Sequence, residues 1–570
     1  MAPPHIIESP YAGQLDVPYC DVLSYIFSSK PSPKHQAQFF NADNPSLSFD
    51  LPTAELYVKQ FGKGLQNLGL QPGDKVLLVS HNQLFFPVVI WGVLAAQCVF
   101  TGASPSASVF ELSHQLKDSE AKLILTAPDQ LKTSIKAANK VGLSPDRIFL
   151  FDQPFSGAST SGGSMWTDLW VSPEEARDWK WNSITTRQNA QETTAVINYS
   201  SGTTGLPKGV ELSHFNLVSN VQQLIFKRSI VANTKSDLGR VARLDESGER
   251  WLAPLPMYHA FGQTYYSMLA PRLGAKVFVM GKFNSVKYLT YIDIYRITFI
   301  NVVPALLETL LKLPNSAQFN LKSLLMVGSG SAPLDLNLAR QFEKNFLRPG
   351  VSVKQGWGMT ETTCNVTGFA PGDEDDGSSI GWLNPSCVAR IVEVPDRDFA
   401  NIERSKGVKV GEIWVSGPNI MKGYLKRPQE TADTTVNEGG YRWLRTGDVG
   451  YADSRGCLFI VDRIKELIKV KGLQVSPAEI EKTLKSHGGV LDAAVTCAKL
   501  NGHEFPRAFV VRKDSSVTAD DLHAHVQTKL ARHKWLEGGI FFLDDLPRTS
   551  SGKIIKRLLP TPEKERRSKL

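Results

Sequence analysis

The sequence predicts a mixed α/β protein with a large first part and a small last part. Helical periodicity over residues 54–70 is followed by the turn and apolar run QPGDKVLLVS, and similar runs recur as AKLILTA, RIFLF, AKVFVM, ITFINVVP and LKSLLMVGSG. This alternation is typical of parallel sheets covered by helices on both faces. After Gly411 the pattern changes to short alternating strands such as GEIWVSG and GCLFIVDR, and helix and strand patterns resume after Pro477.

The composition is that of an ordinary globular protein. The chain has 570 residues, of which 42% are hydrophobic and 21% charged, so it is long enough for several subdomains. Its six cysteines form no C-x-x-C pair, which indicates a reducing compartment and argues against a structural zinc site. The first residues lack the basic and apolar regions of a secretory signal, so we expect an intracellular protein.

The apolar run at residues 84–103 is long enough to be a candidate membrane span. Pro87 and Gln97 interrupt it and no lysine or arginine cluster flanks it, so we expect a buried helix and not an integral membrane protein. Two polar stretches, at residues 155–165 and 234–250, are predicted to be surface loops.

Positive charge is concentrated at the end of the chain. Residues 465–570 carry 20 lysines and arginines against 13 acidic residues, a net charge of +7 out of +8 for the whole chain. Such a unit is either a solvated surface or a module that meets a polyanion. Because no helix-turn-helix, zinc-finger or RNA-binding motif accompanies the charge, we expect a small phosphorylated ligand and not nucleic acid.

The stretch YSSGTTGLPKG, at residues 199–209, is the first candidate for holding such a ligand. It is not a Walker A loop, because Leu206 and Pro207 separate its second glycine from Lys208. Its glycines nevertheless allow backbone N–H groups to face an anion, its hydroxyls donate hydrogen bonds, and Lys208 supplies a positive charge. A flexible linker would also be rich in glycine and serine, but here a helix entered through Ser213 is predicted to follow.

Five motifs in order identify a family resemblance. They are YSSGTTGLPKG, QGWGMTE at 355–361, RTGD at 445–448, DRIKELIKVKG at 462–472 and SSGKIIKR at 550–557. The sequence resembles the adenylate-forming enzymes, and most closely their acyl-CoA synthetase branch with its 4-coumarate:CoA ligase-like and luciferase-like members. The resemblance implies an N-terminal domain of two α/β sheets and a β-barrel over residues 1–464, and a small mobile α+β C-terminal domain over 465–570.

The resemblance also implies a two-step reaction. A carboxylate attacks the α-phosphorus of ATP and expels pyrophosphate, and the thiol of coenzyme A then attacks the acyl-adenylate and releases AMP. Joining two anions requires cations and aligned donors where negative charge accumulates.

Residue roles follow from the same resemblance. Thr360 would bond the α-phosphate, Glu361 would ligate Mg²⁺, Trp357 would replace the usual tyrosine as the stacking face for adenine, Asp448 would bind the ribose, and Arg463 would assist Asp448. The whole implied ATP and AMP site is Ser200, Ser201, Gly202, Thr203, Thr204, Gly205, Lys208, Ser331, Gln355, Gly356, Trp357, Asp448, Arg463, Lys465 and Lys469.

The implied second half of the site belongs to the C-terminal domain. Lys553 would approach the carboxylate and the α-phosphate during adenylation, and rotation about Lys465 would replace it for the second step. The implied coenzyme A contacts are Lys282, Lys471 and Gly472, and His259 would be the gate between the acyl pocket and the coenzyme A tunnel. The implied acyl pocket is Tyr258, Phe261, Tyr265, Val303, Gly328, Ser329 and Gly330.

We therefore expect an ATP-dependent carboxylic acid:CoA ligase that uses Mg²⁺ and acts on an aryl, arylalkanoic or medium-chain acid. A luciferase-like oxidoreductase and a stand-alone adenylation enzyme that loads a carrier protein are the alternatives. The sequence ends in Ser568, Lys569 and Leu570, the S-K-L tripeptide that a peroxisomal import receptor reads, so we expect a peroxisomal protein.

Overall fold

The computed structural model describes most of the chain. The described residues are 6–11, 15–28, 36–154, 163–200, 206–232, 234–395, 399, 403, 406–470, 473–500, 503–549 and 552–560. They form a mixed α/β fold with a large N-terminal part and a small C-terminal part, which confirms the predicted fold class.

Two seven-stranded sheets, mostly parallel, dominate the large part. In spatial order, the first sheet consists of Gly423–Tyr424, Lys208–Ser213, Thr194–Ser200, Val99–Ala103, Lys75–Val79, Leu123–Thr126 and Ile148–Leu150. The second consists of Val353–Gln355, Met326–Ser329, Phe299–Val302, Arg250–Ala253, Lys276–Val279, Phe39–Asn41 and Ser48–Phe49. A single large hydrophobic cluster includes residues from both sheets, so their helices and strands share one core.

Where the β-barrel was expected, the chain forms an antiparallel six-stranded sheet. Its strands are Ile7–Glu8, Val388–Val392, Gly411–Ser416, Tyr441–Ala452 and Thr435–Glu438, with Leu458–Arg463 also pairing with Tyr441–Ala452. A two-stranded sheet joins Thr367–Gly368 to Trp382–Leu383. In the six-stranded sheet, the pairing of Tyr441–Ala452 with Leu458–Arg463 sets Asp448 directly opposite Arg463, which brings two motif residues together.

The α-helices of the large part connect and cover these sheets. They are Val22–Phe27, Leu51–Asn67, Phe86–Ala95, Val109–Ser119, Leu131–Val141, Pro173–Asp178, Arg187–Glu192, His214–Ser229, Lys235–Ser247, Ala260–Thr264, Ala270–Leu273, Ser285–Ile294, Pro304–Lys312, Leu336–Phe346 and Pro428–Thr434. Short 3₁₀ turns occur at Pro128–Gln130, Pro145–Arg147, Trp166–Leu169, Ser316–Gln318 and Thr360–Thr362. The predicted helix after the glycine-rich stretch is confirmed, because Ser213 caps His214–Ser229 by accepting a hydrogen bond from the Asn216 amide.

The C-terminal part has its own small core. It contains the hairpin Ile468–Val470 and Leu473–Val475, the sheet Val490–Leu500, His503–Arg512 and Ile540–Phe542, the α-helices Pro477–Lys485 and Ala519–Lys529, and 3₁₀ turns at Arg532–Lys534 and Lys556–Leu558. Two hydrophobic clusters lie entirely within it. The exact domain boundary at Lys465 stays a prediction.

Two local predictions need correction. The run at 84–103 is a buried helix only over Phe86–Ala95, because Gln97 adopts a positive φ of 62° and turns the chain into strand Val99–Ala103. Among the described helices, none is both long and apolar enough to cross a membrane. The stretch at 234–250 was expected to be a loop, but most of it is the helix Lys235–Ser247.

That helix is stabilised by local polar bonds that its sparse apolar pattern did not reveal. Thr234 accepts a hydrogen bond from the Asp237 amide and so caps the first turn. The buried Asp237 carboxylate in turn pairs with Arg240 one turn later and accepts from the Ala232 amide. Of the other predicted loop, residues 155–162 lie outside the described part of the chain.

Candidate active site

A cavity of about 1020 Å³ lies where the two parallel sheets, the antiparallel sheet and the C-terminal part meet. Most of the described residues that the sequence nominated line it. They are Ser200, Lys208, His259, Phe261, Tyr265, Gly328, Ser329, Gly330, Ser331, Gln355, Gly356, Trp357, Thr360, Glu361, Arg463, Lys465 and Lys553. The motifs, which are spread over more than half of the chain, therefore converge on one cleft.

Some nominated residues in the described part of the chain, among them Asp448, Val303, Tyr258 and Lys282, do not line this cavity. Asp448 lies behind its wall, bonded to residues that do. Val303 packs near the loop that carries Lys553, since a Cβ atom on Gly552 would lie 3.4 Å from Val303 Cγ2. Tyr258 packs against Gly102. Lys282 is 70% exposed and pairs with Asp129 at 3.1 Å.

Other nominated residues lie outside the described part of the chain. They are Ser201, Gly202, Thr203, Thr204, Gly205, Lys471 and Gly472. Lys469 belongs to strand Ile468–Val470 of the C-terminal part. The coenzyme A contacts expected at Lys282, Lys471 and Gly472 therefore stay a prediction, because only Lys282 lies in the described part of the chain.

A polar network forms the end of the cleft next to the glycine-rich stretch. The antiparallel register sets Lys208 opposite Ser200, where the two strands enter that stretch. Lys208 pairs with the Glu430 carboxylate and stands 5.1 Å above the Tyr424 ring. The Tyr424 hydroxyl donates to Glu361 Oε1 at 2.9 Å. Tyr424 thereby contacts a cation through the face of its ring and a carboxylate through its hydroxyl.

Glu361 is buried, yet it lines the cavity. Burial, and next the charge of the Glu361 carboxylate, raise the pKa of the Tyr424 hydroxyl, so that hydroxyl stays protonated and remains a donor. The neutral Tyr424 hydroxyl therefore holds Oε1 of Glu361 in place by a hydrogen bond. Tyr424 lies on a two-residue strand outside every motif, which is why sequence reasoning missed it.

Asp448 is the centre of a second cluster. Trp357 Nε1 donates to Asp448 Oδ2 at 2.8 Å, and Arg463 Nε lies 2.8 Å from Oδ1. The Asp448 carboxylate raises the pKa of the Arg463 guanidinium. Asp448 is 3% exposed and each carboxylate oxygen holds one donor, which leaves each a further lone pair for a ligand.

The tryptophan at position 357 has a structural consequence for the site. The indole offers a flat face and also bonds the Asp448 carboxylate, which the family resemblance assigns to the ribose. Gln355, by contrast, uses its side chain internally, since it accepts from the Leu334 amide at 3.0 Å and donates to the Gly377 carbonyl at 2.9 Å. Its side chain supports the loop around the cleft.

Lys553 reaches the cleft from the C-terminal part. Gly552 precedes it with a positive φ of 83°, a conformation that favours glycine, and the Thr549 hydroxyl accepts a hydrogen bond from the Lys553 amide. Burial, and next the charge of Arg463, lower the pKa of the Lys553 ammonium, while Glu466 and Asp448 oppose this effect. The ammonium therefore lies in the field of the Asp448 cluster.

A neighbouring lysine fixes this loop. Lys556 pairs with Glu466 at 2.8 Å and with Glu481 at 3.0 Å. Burial alone would lower the pKa of Lys556, but the two carboxylates outweigh it and the pKa is raised, so the lysine stays charged. The pairs hold the loop with Lys553 against the segment that follows Arg463.

The opposite end of the cleft is aromatic. Phe261 meets Tyr265 edge to face at 5.1 Å, and Tyr265 stacks on Phe299 at 6.1 Å. Tyr265 begins a π-helical turn, Tyr265–Leu269, of a kind that often accompanies functional sites. A Cβ atom on Gly330 would lie 3.2 Å from the Phe261 ring, so this glycine keeps the wall open.

His259 stands where the aromatic end begins, just before helix Ala260–Thr264. Burial lowers the pKa of its imidazole, so His259 is neutral at physiological pH. A neutral ring can border an apolar pocket without a counter-ion.

The chain matches two family models. Residues 43–425 match the AMP-binding enzyme family and residues 479–553 match the C-terminal domain of AMP-binding enzymes. A phenylacetyl-CoA ligase of Aspergillus niger is 32% identical over 97% of this chain and 99% of its own length. A probable CoA ligase of Humulus lupulus is 35% identical over 86% of this chain and 84% of its own length.

Solved structures show the same fold. ATP-bound MatB from Rhodopseudomonas palustris aligns with a TM-score of 0.76 at 25% identity, covering 94% of this chain and 97% of that one. An anthranilate CoA ligase in complex with anthranoyl-AMP aligns with a TM-score of 0.77 at 21% identity, covering 95% and 96%. At 21% identity, the second comparison shows a similar fold and nothing more.

The bond between Trp357 and Asp448 gives a first prediction. Trp357→Phe keeps an aromatic face but removes the indole N–H, so we expect AMP to bind about tenfold more weakly, since a hydrogen bond to a charged group contributes ~1.5–3 kcal/mol. Calorimetric titration of AMP measures the change. Trp535→Phe, which removes an indole bond to the Leu530 carbonyl in the C-terminal part, is the control and should leave AMP affinity unchanged. Unaltered AMP binding by Trp357→Phe would show that the bond does not position Asp448.

Proposed function

This chain belongs to the AMP-binding enzyme family, and on that premise we propose that it is an ATP-dependent carboxylic acid:CoA ligase that forms an acyl-adenylate and then an acyl-CoA thioester. The observation that carries the proposal is the position of Lys553. This C-terminal lysine lines the same cavity as Lys208, Glu361 and Arg463 of the large part. The cleft thus offers cations to both anions that must react.

In the first step, a carboxylate oxygen of the acid attacks the α-phosphorus, and the bond to the β-phosphate oxygen breaks as pyrophosphate leaves. Lys208 would hold the outer phosphates, for which it must give up its pair with Glu430. Asp448, held by Trp357 and Arg463, would accept hydrogen bonds from the ribose hydroxyls. Lys553 would stabilise the charge that accumulates between carboxylate and phosphate.

In the second step, the thiolate of coenzyme A attacks the acyl carbonyl and the bond to AMP breaks. We propose that the C-terminal part rotates about Lys465 between the steps, withdraws Lys553 and presents Lys469, Lys471 and Gly472. The net charge of +7 on residues 465–570 suits a surface that meets a multiply phosphorylated cosubstrate. His259, neutral because burial lowers its pKa, would border the path of the thiol.

Glu361 fits a ligand of Mg²⁺. Among the described residues, no group of three or more His, Cys, Asp or Glu could hold a metal ion by itself, so the ion would need phosphate oxygens of ATP as further ligands. Mg²⁺ is commonly held in this way, by one or two carboxylates together with phosphates and water. The ion would supply charge neutralisation at the phosphates, and Tyr424 would orient the Glu361 carboxylate.

The aromatic end of the cleft supports an aryl or arylalkanoic acid as substrate, and a medium-chain acid remains part of the proposal. Phe261, Tyr265 and Phe299 provide flat apolar walls. The relative from Aspergillus niger is a phenylacetyl-CoA ligase, which agrees with an arylalkanoic acid.

A panel of acids tests the proposed reaction. Pyrophosphate release is measured with aryl, arylalkanoic and short-chain to long-chain fatty acids, with and without coenzyme A. We expect release with at least one class of acid, and acyl-CoA only when coenzyme A is present. Absence of release with every acid would refute the ligase. Light emission with luciferin would indicate the luciferase-like alternative, and transfer to a carrier protein but not to coenzyme A would indicate the adenylation alternative.

The two half-reactions should depend differently on Lys553. Lys553→Ala should nearly abolish acyl-adenylate formation and spare thioester formation from a supplied acyl-adenylate, because the ammonium occupies the cleft only in the arrangement that joins the acid to ATP. The exposed Lys513, changed to alanine, is the matched control and should affect neither step. Equal loss in both half-reactions would contradict alternation about Lys465.

We further propose that the protein is peroxisomal and is bound by an import receptor. The proposal is supported by the sequence EKERRSKL alone, because residues 561–570 lie outside the described part of the chain. A fluorescent protein fused at the N-terminus should appear in peroxisomes, and deletion of Ser568, Lys569 and Leu570 should leave the fusion in the cytosol with its ligase activity intact. Arg567→Ala keeps the tripeptide and serves as control. Punctate localisation after the deletion would contradict the proposal.

A further inference from the structure

The chain makes a strained turn shortly after Glu361. Residues 362–364, which we call the Thr363 turn, overlap the end of the 3₁₀ turn Thr360–Thr362. Thr363 has a φ of 68° and a ψ of −56°, which a β-branched residue rarely adopts. The Cys364 amide donates to the Thr362 carbonyl at 2.8 Å, two residues back along the chain. Both observations describe the rare and strained form of a γ-turn.

A strained conformation of this kind persists only where surrounding bonds hold it, and Asn419 provides several of them. The Thr363 hydroxyl donates to the Asn419 carbonyl at 2.7 Å. The Nδ2 atom of Asn419 donates to the Thr362 carbonyl at 3.1 Å and to the Asn365 carbonyl at 3.2 Å. Asn419 therefore bonds the centre of the turn and the chain on both sides of it.

Two further asparagines bond the chain at Asn365. Asn220, in helix His214–Ser229, donates through Nδ2 to the Asn365 carbonyl at 2.7 Å and accepts from the Asn365 amide at 3.2 Å. Asn384 Nδ2 donates to the same carbonyl and to Asn365 Oδ1, both at 2.9 Å. Side-chain amides from three separate segments of the chain thus converge on one carbonyl oxygen.

All three asparagines are buried, and so are Thr362 and Thr363. Water cannot replace a bond that is lost at such a place, because a buried amide without a partner has given up its hydration and gained nothing in return. A fully bonded polar network inside a protein therefore favours one arrangement of the chain over others. Here the favoured arrangement is the Thr363 turn.

The Thr363 turn is tied to residues that face the cleft. Thr360 and Glu361 line the cavity and directly precede Thr362. The Thr363 amide donates to the Thr360 carbonyl at 3.0 Å, and the Glu361 carbonyl accepts from the Met421 amide at 2.9 Å. The main chain at Glu361 is therefore connected both to the turn and to the segment that carries Asn419.

We propose that Asn220, Asn384 and Asn419 are positioning residues, which hold the strained Thr363 turn and thereby aim Glu361 at the Mg²⁺ ion that accompanies ATP. The inference rests on the proposed function, in which Glu361 is a ligand of that ion. None of these three asparagines lines the cavity, so they act through the turn and not by touching a ligand.

Binding of ATP without an acid tests the proposal. Calorimetric titration gives the affinity for ATP with saturating Mg²⁺ and with a chelator, and the ratio of the two affinities, the Mg²⁺ ratio, measures what the ion contributes. Asn419→Ala removes two hydrogen bonds to the chain around the turn, so we expect the Mg²⁺ ratio to fall about tenfold. The affinity for adenosine, which has no phosphate, should stay unchanged, because Trp357 and Asp448 are left in place.

A second variant and a matched control separate positioning from stability. Asn220→Ala removes both bonds to the main chain of Asn365 and should lower the Mg²⁺ ratio in the same way. Asn82 is also buried, and its side chain makes three bonds to main-chain atoms elsewhere in the large part. Asn82→Ala should therefore lower the melting temperature but keep the Mg²⁺ ratio. Equal Mg²⁺ ratios in the Asn419 and Asn82 variants would overturn the inference.

Changes at Thr363 connect the asparagines to the strain. Thr363→Gly relieves the strain, because glycine adopts a positive φ freely, whereas Thr363→Ala removes the hydroxyl and keeps the strain. Combined with Asn419→Ala, the glycine variant should return the Mg²⁺ ratio to within about threefold of that of the unaltered protein, and the alanine variant should not. The same Mg²⁺ ratio in both double variants would contradict a role for the strained turn.

The outcomes distinguish this inference from the ligase itself. An unchanged Mg²⁺ ratio in Asn419→Ala, or a ratio of one in the unaltered protein, would overturn the inference and leave the ligase in place. Absence of pyrophosphate release with every acid would overturn the ligase, whereas binding of ATP and Mg²⁺ would still decide whether the asparagines aim Glu361. Absence of ATP binding by the unaltered protein would overturn both.

Discussion

Pairing of charge inside the cleft is the constraint on which the site depends. A protein that brings two anions together must hold several cations close to one another, and each must be stable before the ligands arrive. The described residues show how this is done, because Lys208 is matched by Glu430, Arg463 by Asp448, and Arg228 by Glu249. Each carboxylate also fixes its cation in one place, so each pair both balances the charge of the cation and orients its side chain.

Lys553 departs from this arrangement in a way that suits its proposed role. It makes no ion pair among the described residues, and burial together with Arg463 lowers the pKa of its ammonium. Its own loop is held by the pairs of Lys556, and not by a partner of Lys553 itself. Because Lys553 has no carboxylate partner of its own among the described residues and lines the cavity, its ammonium is accessible to an incoming phosphate or carboxylate.

The same pairing is compatible with movement of the C-terminal part. The ion pairs described there stay inside it: Lys485 and Arg548 with Asp492, Lys534 with Glu479, and Lys556 with Glu466 and Glu481. Contacts with the large part include hydrogen bonds from Ser476 and Ala478 to Asp462, beside the proposed hinge. A rotation about Lys465 would therefore keep these ion pairs intact.

Sequence reasoning succeeded where the cause of a structure is local. The helix after Ser213 was predictable because its cap lies beside it, whereas Lys235–Ser247 was missed because its stabilising bonds are between polar residues that read as a loop. The bond from Trp357 to Asp448 joins residues from separate motifs, and only the folded chain brings them together. Tyr424 belongs to no motif, so only the folded chain shows that its hydroxyl bonds Glu361.

The proposed nucleotide chemistry and the proposed binding of the acid make different demands on the chain. Nucleotide chemistry uses charges and hydrogen bonds that must stand in fixed relation to the phosphates and the ribose, so it depends on residues within the motifs. Under the proposed function, the acid would lie against Phe261, Tyr265 and Phe299, which belong to none of the five motifs. Changes among these aromatic side chains would then alter which acid is bound and leave in place the groups that activate it.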